Sequence, residues 1–159
     1  MSPLAKFCSL TGREKIFFCE ASLLVSLANI CVKTIAFRRI DRFLRARCND
    51  IVQNQGIDRE PEIRLVQRCV SRAANVLPWK SLCLSRSIAE FIMLRRRGIP
   101  AVMFAGVRFS DDSSLHAHAW VDAGLGVNDT RPEHAGFTTV IAIGTGAVDG
   151  FLPSTTSRT

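Results

Sequence analysis

Residues 83–109, CLSRSIAEFIMLRRRGIPAVMFAGVRF, and residues 115–122, LHAHAWVD, decide the fold. The longer stretch opens as a helix at Ser81 or Leu82, after a break at Pro78 and Trp79, and runs helical to about Arg97. Gly98 suits the C′ position that closes a helix, and Arg95, Arg96 and Arg97 sit where the helix dipole favours cations. Residues 100–109 then form a strand and residues 110–114 a polar turn. LHAHAWVD alternates as a half-buried strand does.

Upstream the pattern is helical. From Arg13 to about Phe37, the residues Ile16, Phe17, Leu23, Leu24, Leu27, Ile30, Cys31 and Ile35 recur at helical spacing, which reads as a long core helix. Glu20, Asn29 and Lys33 interrupt this most apolar stretch. No run of about 20 uncharged apolar residues exists, so no stable membrane span is expected. FRRIDRFLRAR at 37–47 is a short basic amphipathic helix with Ile40, Phe43 and Leu44 on its apolar side. It is either a solvated surface helix or a docking face for an acidic partner. Residues 49–56 are a polar connection. Glu60–Val76 forms a third helix, with Pro61 in its first turn and Ile63, Val66, Val70, Ala73 and Ala74 facing inward. Downstream, Gly124, Leu125 and Gly126 read as a hairpin turn, Val127 to Asp129 start a strand, residues 137–143 form another, and 144–159 are a loose tail. Helices followed by an antiparallel sheet make one α+β domain over 1–159, with a helical prelude at 13–76 and a core at 78–143.

The composition agrees. The chain has 159 residues, 47% hydrophobic and 22% charged, which excludes a disordered polymer and removes the need for a disulfide or metal staple. The net charge of +7 is uneven: residues 1–98 hold 18 basic and 8 acidic side chains (+10), and residues 99–159 hold 3 and 6 (−3). A basic first part suggests an acidic partner. No nucleic-acid motif is present and the arginines are not interleaved with exposed aromatics, so nucleic acid is not the expected partner. The cysteines are Cys8, Cys19, Cys31, Cys48, Cys69 and Cys83; none forms a CxxC pair, which argues against a thiolate zinc site. The N-terminus lacks the order of a signal peptide, so the expectation is a cytoplasmic chain with reduced thiols.

Three features carry chemistry. Cys83 falls at the start of a helix, where unpaired N–H groups and the dipole favour a thiolate; Cys19, Cys31 and Cys69 lie mid-helix. The plainer reading of Cys83 is a packed thiol. The strand period of two puts His116, His118, Trp120 and Asp122 on one face, with Ala117, Ala119 and Val121 on the other, where the alanines fit a covering helix. A histidine there could serve as general base to a thiol on that helix. It could instead give half a zinc site with Asp122, Asp129 or His134, the less favoured reading because no suitable Cys or Glu is near. Asp129, eleven residues after His118 (129 − 118), could orient the imidazole as a third triad member or merely bond its own turn.

The stretch 78–129 resembles the transglutaminase-like cysteine hydrolase superfamily. More narrowly, it resembles the lasso-peptide leader peptidases, the B-type maturation proteins. The likeness rests on residues 83–107, on HAWVD at 118–122 and on VND at 127–129, and extends over roughly 15–130 through the apolar helix and AFRRIDRFL at 36–44. It implies a transglutaminase-like or papain-like core with Cys83 as nucleophile, His118 as base and Asp129 as acid, Asp122 being the second candidate. His116 would be support only. Ser85 stands where that family often has proline, away from the chemistry.

The resemblance implies further properties. The chain has no room before its first helix for the leader-gripping module of fused family members, so it is expected to be the stand-alone peptidase. Its substrate would be a precursor peptide, its partner a separate small leader-recognition protein, and the macrolactam-forming cyclase a further candidate partner. No metal or cofactor is called for. The main alternatives are a transamidase using the same triad and a non-catalytic binding domain of the same fold. Trp79 and Trp120 would wall the cleft or be core aromatics.

Overall fold

The computed structural model describes residues 11–46, 59–79, 82–110, 114–123 and 136–144. The expected connection at 49–56, the turn and strand at 124–129 and the tail beyond 144 lie outside them. Among the described residues the order is α1 (Gly12–Thr34), α2 (Phe37–Ala46), α3 (Glu60–Val76), α4 (Cys83–Arg96), β1 (Val102–Phe109), β2 (Leu115–Asp122) and β3 (Thr138–Ile143). Helices do precede an antiparallel sheet, and the fold is α+β.

α1 starts one residue before the expected position because Thr11 and Glu14 build a capping box. The Thr11 hydroxyl accepts from the Glu14 N–H, and the Glu14 carboxylate accepts from the Thr11 N–H at 2.9 Å. Its far end differs too. The chain turns extended at Ile35, so the expected run to Phe37 becomes a break before α2. The larger correction concerns its faces. Of the residues expected in the core, Phe17 is buried, but Ile16, Leu23, Leu27 and Ile30 are exposed; Ala21, Val25, Ala28 and Asn29 are buried in their place. Small side chains at the contact let α1 lie close along α3 and α4. α1 has 23 residues, and an 18-residue window within it has a mean hydropathy of 1.7, so it is long and apolar enough to cross a bilayer, a test that core helices also pass.

α3 has the expected bounds, with proline in its first turn and all five expected inward residues buried. α4 is the centre of the molecule. Ile88, Ala89, Phe91, Met93 and Leu94 are buried and join the helical core to Met103, Val121 and Ile143 of the sheet. Its C-terminus is closed by Gly98 at φ 67°, where only glycine is at ease. Glu20 of α1 pairs there with Arg97 and, at 3.1 Å, with Arg96, while the Arg97 guanidinium lies 4.0 Å over the Phe17 ring.

The strand order is β2-β1-β3, all antiparallel. Met103 pairs with Val121, Ala105 with Ala119 and Gly106 with His118. β3 returns along the other side of β1 with an irregularity between Ala105 and Gly106.

The capping box has an acid signature. Its hydrogen bonds from Thr11, the backbone one first, hold the Glu14 carboxyl below the ordinary carboxylate value. A depressed folded pKa means stabilisation that is full above the unfolded value, about 4.3, and lost as pH falls through the lowered one. Amide NMR of residues 12–15 should show the first turn fraying below about pH 4; Glu14→Gln should remove that pH dependence.

Candidate functional site

Cys83 is the first residue of α4 and is half-buried. Leu82 occupies the N-cap and supplies no side-chain acceptor, so the first-turn N–H groups are not taken by the cap. They form an anion-stabilising end at the sulfur and are candidates for holding an oxyanion. The turn is anchored from below. Ser85 is fully buried, and its hydroxyl donates to Oδ1 of the buried Asn29 at 3.4 Å, tying the start of α4 to α1. Asn29 reads in the sequence only as an interruption of an apolar helix; its partner lies 56 residues away and no local signal points to it.

Cys69 is buried, and desolvation, the leading cause, pushes its thiol pKa up. Cys31 is half-buried and Cys19 exposed, both within α1. Among the described cysteines, only Cys83 combines a helix start with partial exposure.

His118 sits mid-strand in β2 and is half-buried. Its ring stacks near parallel to Trp120 at 6.0 Å and lies 5.4 Å from the Phe137 ring. Trp120 in turn stacks on Phe104 at 5.7 Å, and the Arg108 guanidinium covers Phe137 at 4.9 Å. These rings form one continuous row on a single sheet face, and they limit how far the imidazole can rotate. Trp120 is thus part of the histidine's own wall, while Trp79 is exposed. Phe137 and Arg108 are the residues that sequence reasoning missed: nothing in their spacing shows that β3 runs beside β1.

The expected alternation within β2 holds from His118 onward, whereas Ala117, expected against the helix, is exposed. Ala119 and Val121 are buried, and Val121 belongs to the layer packed on α4. His118 and Trp120 therefore occupy the opposite face. α4 doubles back into β1 through the Gly98 turn, so Cys83 lies at the far end of the unit. The 14 residues of α4 at 1.5 Å each span about 20 Å, comparable to the length of β1 from Val102 to Phe109. β2 is an edge among the described strands.

Asp122 shares the His118 face but sits four residues on, about 13 Å along the strand and beyond direct hydrogen-bond reach. Asp129 and His134 lie outside the described residues. His116 is exposed at the start of β2, with Nε2 3.0 Å from the Ser114 hydroxyl. No group of three potential metal ligands occurs among the described residues, so the His116–His118 pair finds no third ligand there.

A family model described as Transglutaminase-like superfamily matches residues 26–142, from the second half of α1 into β3. That superfamily includes cysteine peptidases and acyltransferases. No curated protein and no solved structure matches the chain.

Two substitutions probe the supports of the site. Ser85→Ala leaves the Asn29 side chain buried without its donor and should cost about 1–3 kcal/mol in chemical denaturation. At Gly106 an added Cβ would lie 2.8 Å from the Thr138 carbonyl oxygen and 3.1 Å from the Trp120 ring. Gly106→Ala should therefore cost about 1–3 kcal/mol and disturb the His118 ring resonances in NMR.

Proposed function

Because the chain belongs to the transglutaminase-like superfamily, we propose that it is a cysteine peptidase that cuts the leader from a ribosomally made lasso-peptide precursor. The observation that carries this reading is Cys83 as the first residue of α4, followed by the HAWVD strand packed on that same helix. A nucleophile needs a stabilised anionic form, and the open helix start supplies the field for it.

In the proposed reaction, the Cys83 thiolate attacks the carbonyl carbon at the leader–core junction. The charge that develops on the carbonyl oxygen is met by first-turn N–H groups of α4. The tetrahedral adduct collapses, the C–N bond breaks, and His118 gives its proton to the departing amine of the core peptide. His118 then takes a proton from water, which attacks the thioester and releases the leader as a carboxylate. Asp129 is proposed as the group that orients the imidazole. The rings of Trp120 and Phe137 flank the imidazole and limit its swing. The precursor peptide is the proposed substrate, and a separate leader-recognition protein the proposed partner.

Incubation of the chain with precursor and leader-binding protein, followed by intact-mass analysis, tests the reaction. Cys83→Ala should abolish cleavage and His118→Ala should lower it by about 10⁴-fold or more. Asp129→Asn should fall by roughly 10²–10⁴-fold. A product carrying an added amine in place of hydroxyl would make the chain a transamidase. Cleavage that survives Cys83→Ala would sink the reading. A short bifunctional haloketone should bridge Cys83 to His118 in the wild-type protein; a bridge to neither histidine counts against the pairing.

A further inference from the structure

The described surface also carries an apolar groove that Cys83 does not line. The groove, of about 1090 Å³, runs between the second half of α1, α2 and the C-terminal half of α4. Leu27 of α1, Ile35 just past its end, Ile40 and Phe43 of α2 and Ile88 and Ile92 of α4 line it. Among the described residues its charged lining is Arg39, Arg95 and Arg96, with no carboxylate. On α4 the lining positions 88, 92 and 95 make one helical stripe, with Ile88 and Phe91 shared between the groove floor and the core.

The mouth of the groove continues into bare apolar surface. Leu23 and Ile30 of α1 are 60% and 57% exposed, Leu27 48%, and Phe43 of α2 53%. Large side chains left in water at helical spacing, beside a groove at the upper end of the usual 300–1,000 Å³ range, fit the apolar face of another helix. The charge around it selects the occupant. Arg45 pairs with Asp41, but no carboxylate pairs with Arg38, Arg39 or Arg42 among the described residues.

We infer that this groove docks an amphipathic helix of another protein, its leucine-type face in the groove and its flanks acidic. A second copy of this chain fits poorly, because its own amphipathic helix α2 carries four arginines and one aspartate and would bring cation to cation. A membrane surface would share the charge preference but is flat, while the lining here is concave. The inference stands apart from the peptidase reading, since it uses neither Cys83 nor His118.

The test uses the full chain and a fluorescent synthetic helix of about 15 residues, with leucines at i, i+3, i+4 and i+7 and glutamates on both flanks. A matched helix with lysines in place of the glutamates is the control. The acidic helix should bind at least about tenfold more tightly than the lysine helix and weaken with salt. The exposed-site variants Leu27→Asp and Phe43→Asp, checked as folded by circular dichroism, should each weaken it by about tenfold, and Arg39→Glu by several-fold. Cys83→Ala should bind as the wild type does, which separates failure of this docking site from failure of the peptidase. Equal binding of both helices, absence of binding, or indifference to the Leu27 and Phe43 changes overturns the inference. So does a dimer in light scattering that those changes dissolve, or phosphatidylserine vesicles that bind the same face and exclude the acidic helix.

Discussion

The structure depends on one constraint, the burial of α4 between the other helices and the sheet. Phe91, Met93 and Leu94 are each within about 1% of complete burial, and Ala89 is fully enclosed. Truncation of such a residue typically costs 3–5 kcal/mol for phenylalanine, a large share of a domain's whole stability. The packing fixes the helix axis, and the axis fixes where its first turn emerges. Ser85 and Asn29 hold that turn from one side, while Glu20, Arg97 and the Gly98 turn hold the other end. A sulfur atom at the start of α4 is thus positioned by the core, not by the loop that precedes it.

The same burial accounts for what was legible in the sequence. α3 could be bounded to the residue because a proline opens it and one apolar stripe runs along it. Gly98 and LHAHAWVD were legible for similar reasons: a positive φ and a period of two are local properties. α1 was harder, since two apolar stripes recur along it. Ala21, Val25 and Ala28 make one, and Leu23, Leu27 and Ile30 the other. Periodicity finds both but cannot say which one meets α3 and α4; close helix contact favours the small one. The Thr11–Glu14 capping box is also local, a threonine followed three residues later by a glutamate, and it moves the helix start ahead of Arg13.

The candidate site divides along the same line. Cys83 and His118 follow from residue type, order and resemblance. The row Phe104, Trp120, His118 and Phe137 depends on which strand lies beside β1 and on the irregularity at Ala105–Gly106. That register is set by side chains far apart in the chain, so no local pattern announces it. Asn29 is the same kind of case: an amide in an apolar helix looks like a flaw until Ser85 is set against it.

The strand order β2-β1-β3 carries a consequence for how the molecule assembles. α4, β1 and β2 are consecutive, each joined to the next by a short connection, so their contacts close small loops. β3 must travel back past β2 to reach the free side of β1, at a higher cost in chain entropy. On contact order alone, the segment that carries the cysteine and histidine closes its own contacts at lower entropic cost than β3 does. Phe137, just before β3, thus completes the aromatic wall around His118 through the longest-range pairing in the sheet.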